Sequence, residues 1–258
     1  MVCSQEEAGS AQPIYPQYMD MNLKYTNVKD GTERMVATAS FREEPEAKYG
    51  RLWEVTINGQ GEWMGYVDTK ISQSAKFIHH EVGLRVLETE SVVFDEQGND
   101  AARFVKEYDY DRNTVIVVKR GGVAAHKFER FEMLGPTCDD VSLVHFLKAY
   151  NARDFVNEPY QVFYLVTNEP KMYKVRMIYV ANDTLETNGV SRKAIKYQLK
   201  ADFGPLTDIV AKMVPPTYVW YSRDYPFEFL QYQGMESGFR SAYIKATVIG
   251  WSYQSAGQ

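Results

Sequence analysis

Residues 217–251, TYVWYSRDYPFEFLQYQGMESGFRSAYIKATVIGW, decide the fold because they read as three consecutive antiparallel strands. Tyr218–Ser222 is the first. Phe227–Tyr232 follows a corner at Asp224, Tyr225 and Pro226, and Arg240–Ile249 closes after a turn between Gly234 and Gly238. In the last strand Ala242, Ile244, Ala246 and Val248 point one way, and Tyr243, Lys245 and Thr247 the other. A period of two with one apolar side is what a half-buried antiparallel sheet requires. Pro226 has no N–H to donate, so it suits the corner and not a central strand.

The same pattern extends back to the start of the chain. Met19, Met21, Leu23 and Tyr25 alternate with polar residues, Asp30–Gly31 predicts a hairpin turn, and Met35–Phe41 returns. Trp53, Val55 and Ile57 share a face, and Asn58–Gly59 predicts another turn. Glu62–Asp68 and Lys76–Phe94 continue the sheet, with Gly83 read as a bend. Turns at Asp95–Gly98, Asp111–Asn113 and Gly121–Gly122 separate the strands Arg103–Tyr108, Thr114–Lys119 and Val123–Phe131. Turns roughly every ten residues are the mark of an all-β sandwich or barrel. One main helix is predicted over Asp139–Tyr150, where Leu143, Phe146, Leu147 and Tyr150 recur at helical spacing and Asp139 or Asp140 caps the first turn. Leu143 and Leu147 are expected to pack into the concave face of the sheet. Strands then resume on either side of Asn188–Gly189, and a short helical turn at Leu206–Met213 ends at Pro215–Pro216. With no linker and no repeat visible, residues 15–254 read as a single antiparallel β domain behind a flexible segment, residues 1–14.

Composition narrows the function classes. The 258 residues carry a net charge of −5, and the basic side chains, such as Lys174, Arg176, Lys196 and Lys200, are scattered singly. A nucleic-acid partner needs clustered Lys and Arg, so none is expected. Tyrosine, at 19 residues, suits barrel walls and cleft rims, where an apolar ring carries a wet tip. Cys3 and Cys138 give no support for a disulfide. The sequence shows no apolar run of membrane-span length and no signal segment. If a targeting segment has been removed, Cys3–Ser4 reads as the acylated start of a lipoprotein, with peripheral membrane association through the anchor. If Met1 is the native start, the expected location is cytoplasmic.

Candidate chemistry is sparse. His79 and His80 are strand neighbours on opposite faces and cannot share an ion, so no metal is expected. Cys138 near a helix N-terminus predicts a lowered thiol pKa, but about 10 Å of helix separates it from His145. Ser142 and His145, at i and i+3, are closer, yet no nucleophile elbow surrounds the serine. Turn formation explains Asp109/Asp111, and helix capping explains Asp139/Asp140. No Gly-rich phosphate loop is present, so neither a catalytic residue nor a cofactor is assigned. What stands out is aromatic: Trp53, Trp63, Phe77, Tyr173, Tyr179, Tyr197, Tyr218 and Trp220 mostly fall on predicted strands. Ordinary core explains them most simply. A concave apolar wall is the functional alternative, and in that reading Trp53, Trp63, Phe77, Leu147, Tyr179, Tyr197, Tyr218 and Trp220 bind a hydrophobic ligand.

Four runs carry a family resemblance: YDYDRNTVIVV (108–118), TCDDVSLVHFLKAY (137–150), LETNGVSRKAIKYQL (185–199) and TYVWYSRDYPFEFLQYQG (217–234). They resemble a bacterial envelope family of unknown function that looks similar to the lipoprotein-localisation-factor (LolA-like) superfamily. The matching positions are Asp139 and Ser142, Asn188–Gly189, and Trp220, Asp224 and Pro226, while Cys138 and the N-terminus depart from the pattern. The resemblance implies a mainly β fold, a strongly curved antiparallel sheet (an open or half barrel) wrapped around one main helix, with an apolar groove. Relatives of that fold bind acyl chains or lipoproteins, and one pigment-pathway enzyme uses it without a cofactor. Three functions therefore stand at this stage. They are non-enzymatic binding of a lipid, acyl chain or lipoprotein on the periplasmic side of a bacterial envelope, a cofactor-free enzyme acting on an aromatic or polyketide-like intermediate, and a structural or interaction module.

Overall fold

Alternation of apolar and polar side chains carries through fifteen strands and one helix in a computed structural model that describes residues 18–46, 50–80, 83–121, 126–151, 160–204, 214–224, 228–236 and 241–253. The strands are β1 (Tyr18–Asn27), β2 (Glu33–Glu46), β3 (Gly50–Trp63), β4 (Tyr66–His80), β5 (Gly83–Phe94), β6 (Asp100–Asp109), β7 (Thr114–Gly121), β8 (Lys127–Glu132) and β9 (Thr137–Asp139). After the helix α1 (Leu143–Asn151) come β10 (Tyr160–Val166), β11 (Met172–Thr187), β12 (Val190–Asp202), β13 (Thr217–Ser222), β14 (Phe229–Met235) and β15 (Tyr243–Tyr253). All fifteen belong to one large, curved, unclosed sheet, in the order β8-β7-β6-β5-β4-β3-β2-β1-β15-β14-β13-β12-β11-β10-β9. The first and last strands pair with each other, Met19 opposite Tyr253 and Asn27 opposite Ile244, so the seam between them lies well inside the sheet.

Every neighbouring pair is antiparallel except β9 and β10, which run parallel with Cys138 opposite Leu165. A parallel pair needs a crossover, and α1 is part of that crossover. The helix sits against β5, β9 and β14. Leu143 and residues 145–149 are buried, and the Tyr221 hydroxyl donates to the Val144 carbonyl at 2.6 Å. This helix is enclosed on nearly every side, polar His145 and Lys148 included.

The inner face follows the predicted alternation. Met19, Met21 and Leu23 of β1, Ala37, Ala39 and Phe41 of β2, and Ile244, Ala246 and Val248 of β15 are all buried in one core. Several expected boundaries shift. Asn58–Gly59 is not a turn: β3 runs through it, and the chain reverses at Met64–Gly65, both at positive φ. Gly59 faces inward, where a Cβ would sit 2.8 Å from Met35 Sδ and 3.1 Å from Ile71 Cγ1. Its missing side chain makes room for Met35, which is the other use of glycine in a strand. Gly83 is likewise no bend within a strand but the first residue of β5, opposite His80. Helical geometry begins at Leu143, after a turn that follows Asp139 in β9, and Gly234 lies within β14. Asn188 (φ 50°) and Gly189 (φ 75°) make the expected hairpin turn. The helical turn predicted at 206–213, the Tyr225–Pro226 part of the corner, and the segment 1–14 with Cys3 lie outside the described residues.

Candidate functional site

The inner face of β4–β7 is not uniformly apolar. Gln73, Thr89, Ser91, Lys106 and Lys119 interrupt it, all buried. The chain around β9 and the β10–β11 turn brings partners to this polar stripe. Lys106 Nζ, between Phe104 and Tyr108 on the inner face of β6, lies 2.5 Å from Asp140 Oδ1, 2.8 Å from Asn168 Oδ1 and 3.7 Å from Asp139 Oδ2. Asp139 is wholly buried. Its carboxylate accepts from Thr89, from the Tyr108 hydroxyl (3.1 Å), from the Ser142 hydroxyl (2.8 Å) and from the N–H groups of Val141 and Ser142. Lys119 pairs with Glu169 one strand further on. A charge this deep is tolerated because it is paired and hydrogen-bonded. Burial drives the Lys106 ammonium toward neutrality, but Asp139 and Asp140 outweigh it and raise its pKa. Asp140 is raised by burial, with Lys106 opposing and Asp139 adding to the shift.

This cluster bears on the nucleophile candidates. The Ser142 hydroxyl engages Asp139, three residues back, as part of the turn that leads into α1. Cys138, expected to have a lowered thiol pKa, has a raised one, because burial dominates and Asp139 and Asp140 add their charge. The capping expectation is not met as stated: Asp139 accepts from the Val141 and Ser142 N–H groups in the turn before α1, the Ser142 carbonyl accepts from His145 and Phe146, and Asp140 pairs with Lys106. His145 is stacked on Phe77 at 6.0 Å and meets the edge of Phe41 at 4.5 Å. Its pKa falls to about 3, through burial first and the nearby Lys148 second. Among the described residues, no group of three or more His, Cys, Asp or Glu side chains could hold a metal ion, and no helix is long and apolar enough to cross a membrane.

Next to the start of α1 lies a partly open cavity of about 230 Å³. Its wall is mostly apolar: Met21 and Leu23 of β1, Ile57 and Trp63 of β3, Val175 of β11, Leu199 of β12, Phe229 of β14, Ile244 and Ala246 of β15, and Leu143 and Val144 of the helix. Asp140 and Glu236 are the only carboxyl groups on it among the described residues, and no described Lys or Arg contributes. Glu236 is buried beside Arg34, whose guanidinium spans Glu236 (3.2 Å) and Glu62 (3.0 Å), and its second oxygen accepts from the Met64 N–H at 2.9 Å. Burial raises the Glu236 pKa, Arg34 opposing. The Tyr25 phenol is likewise raised, by burial and then by Glu236.

Of the eight aromatic and aliphatic candidates, Trp63 alone lines this cavity. Trp53, Phe77 and Leu147 are buried in the main core, as is Tyr197, whose ring meets half-exposed Tyr179 at 6.2 Å. Tyr218 and Trp220 belong to the other face of the sheet, where Trp220 packs with Ala194 and Leu230 and its indole N–H donates to Asp183 at 2.8 Å. The neighbours Val219 and Tyr221 point inward instead. Trp220 does not line this cavity: the strand presents Val219 and Tyr221 to the main core and turns Trp220 to the opposite face. Tyr173, weighed with the others, does line the cavity. Glu236, Arg34 and Lys106 were missed, and Asp140 was read only as a helix cap. Of the three missed residues, Lys106 alone left a trace in the sequence, as a lone cation on the apolar side of an otherwise alternating strand.

No family model matches the sequence, and no curated protein matches it. Solved structures do resemble it. One is a β-barrel-like protein of the domain of unknown function DUF1849 from Brucella abortus, at 5% identity and a TM-score of 0.50, covering 92% of this chain and 97% of that one. Another, a provisionally assigned lipoprotein from Parabacteroides distasonis, has 9% identity and a TM-score of 0.36, covering 93% and 98%. At such identities the first likeness is one of fold: the chain has a barrel-like, unclosed β architecture also found in a bacterial domain of unknown function.

Proposed function

We propose that the protein is a non-enzymatic binder of a hydrophobic small molecule, a lipid or acyl chain, held in the cavity beside α1. The observation that carries this reading is the cavity itself, mostly apolar with a few polar groups on its wall. An apolar cavity of about 150 Å³ is large enough for benzene. At about 230 Å³ this one takes a short chain or the end of a longer one. The sequence resemblance supports a place in the bacterial envelope, and the LolA-like comparison belongs to the same reading.

The test uses Trp63, the tryptophan on the cavity wall. Titration with octanol or a short acyl chain should change the intrinsic emission saturably. Trp63→Phe should remove most of that response, whereas Trp220→Phe, on the far face, should leave it. Mass spectrometry of protein purified under native conditions should show the carried ligand. A folded protein that binds no member of a lipid and aliphatic panel, or a response that follows Trp220 instead, overturns the proposal.

A further inference from the structure

We infer that the ligand of this cavity is a cationic amphiphile, an apolar chain ending in an ammonium group, and not a fatty acid. The inference rests on the binding reading above and names the ligand class for the same cavity. Its first support is the charge of the wall. Asp140 and Glu236 are on it, and no described Lys or Arg is. Each carboxylate has a cation behind it, but each cation is shared with a second carboxylate: Lys106 between Asp139 and Asp140, Arg34 between Glu62 and Glu236. Both clusters thus hold one formal negative charge in excess. A carboxylate ligand would add another beside them, in a region where water screens poorly.

The second support is independent and aromatic. Tyr25, Trp63 and Tyr232 line the cavity together with Glu236. The Tyr25 and Trp63 rings stand edge to face at 5.8 Å and 85°. Met64, next to Trp63, donates its N–H to Glu236, and the Tyr232 hydroxyl donates to the carbonyl of Met235, next to Glu236. Aromatic walls with a carboxylate among them are the usual surroundings of an ammonium group, which is attracted by ring faces and by the acid together. The remaining wall then takes the chain. His145, the one ionisable nitrogen on the wall among the described residues, is neutral near pH 7 and supplies no opposing charge.

Calorimetric titration of the full chain near pH 7 with octylammonium, octanol and octanoate separates the questions. Octanol tests the cavity alone. The expected result is saturable binding of octanol and octylammonium, with octylammonium tighter than octanoate by about tenfold or more, the scale of one hydrogen bond to a charged group. Glu236→Gln should cut that ratio, and Asp140→Asn should do so separately, each variant first shown to be folded by circular dichroism. Equal affinity for all three probes, or a preference for octanoate, overturns the charge selectivity while leaving the cavity reading in place. Absence of octanol binding overturns the cavity reading, and the inference falls with it. Should neither variant fold, the wild-type series still decides.

Discussion

At the scale of single residues, the structure departs most from a simple β core where ionisable groups are buried. His145 sits between Phe77 and Phe41 with its pKa near 3, against an ordinary 6.5. The folded protein holds this ring neutral, whereas the unfolded chain takes up a proton below about pH 6.5. The contribution to stability is therefore complete above that pH and is lost as pH falls toward the folded value. Between pH 6.5 and about pH 5 the loss should be about 2 kcal/mol. Thermal melts across that range should show a falling midpoint whose slope is shallower in His145→Phe; an unchanged slope would assign the acid sensitivity elsewhere. None of this was legible beforehand. A histidine at the i+3 position from Ser142 looks the same in sequence whether it faces water or phenylalanine rings, and Lys106 stands out in the sequence only as a lone cation on an apolar face, its partners Asp139, Asp140 and Asn168 arriving from distant segments.

At the scale of elements, the strands were readable because each alternates against a single core, and the hairpin turns because Asp30–Gly31 and Asn188–Gly189 need residues tolerant of positive φ. The same rule misfires at Asn58–Gly59, since a glycine required for close approach is spelled like one required for a turn. Helix α1 was found by its spacing, yet the stripe understated its burial, because Lys148 and His145 are enclosed as well. Leu147 is fully buried there, so Leu147→Ala should destabilise the protein by about 2–5 kcal/mol in urea unfolding. A loss below about 0.5 kcal/mol would contradict the packing that the structure shows. Which face of β13 turns inward was the harder question. Period two divides Tyr218 and Trp220 from Val219 and Tyr221 but does not rank the two sets, and the larger aromatic pair faces outward, where Asp183 and Lys196 engage Trp220.

At the scale of the whole molecule, the unclosed sheet has two very different margins. Strand β8, KFERFE, is exposed and carries alternating charges, which discourages another chain from adding to it. The opposite margin, β9, is buried, tied by Asp139 to Thr89 and Tyr108. The link from β8 to β9 is only residues 133–136, so the chain passes directly from one margin of the sheet to the other. That arrangement bears on how the chain finds its fold. In the sheet as written, neighbours in space are neighbours in sequence everywhere but at the β1–β15 seam, whose closure spans most of the chain and is entropically costly. Joining Tyr253 to Tyr18 with a short linker and opening the chain between Leu134 and Gly135 would make chain order follow spatial order from β9 to β8, an antiparallel meander from β10 onward, the seam becoming one more hairpin. Such a circular permutant should keep the β-rich dichroism spectrum and refold faster than the parent in stopped-flow measurements; refolding at the parent's rate would mean that pairing across the seam does not limit folding. The order of the strands along this chain is one of many rotations of the same circle, and the break falls between two strands, β1 and β15, that pair side by side.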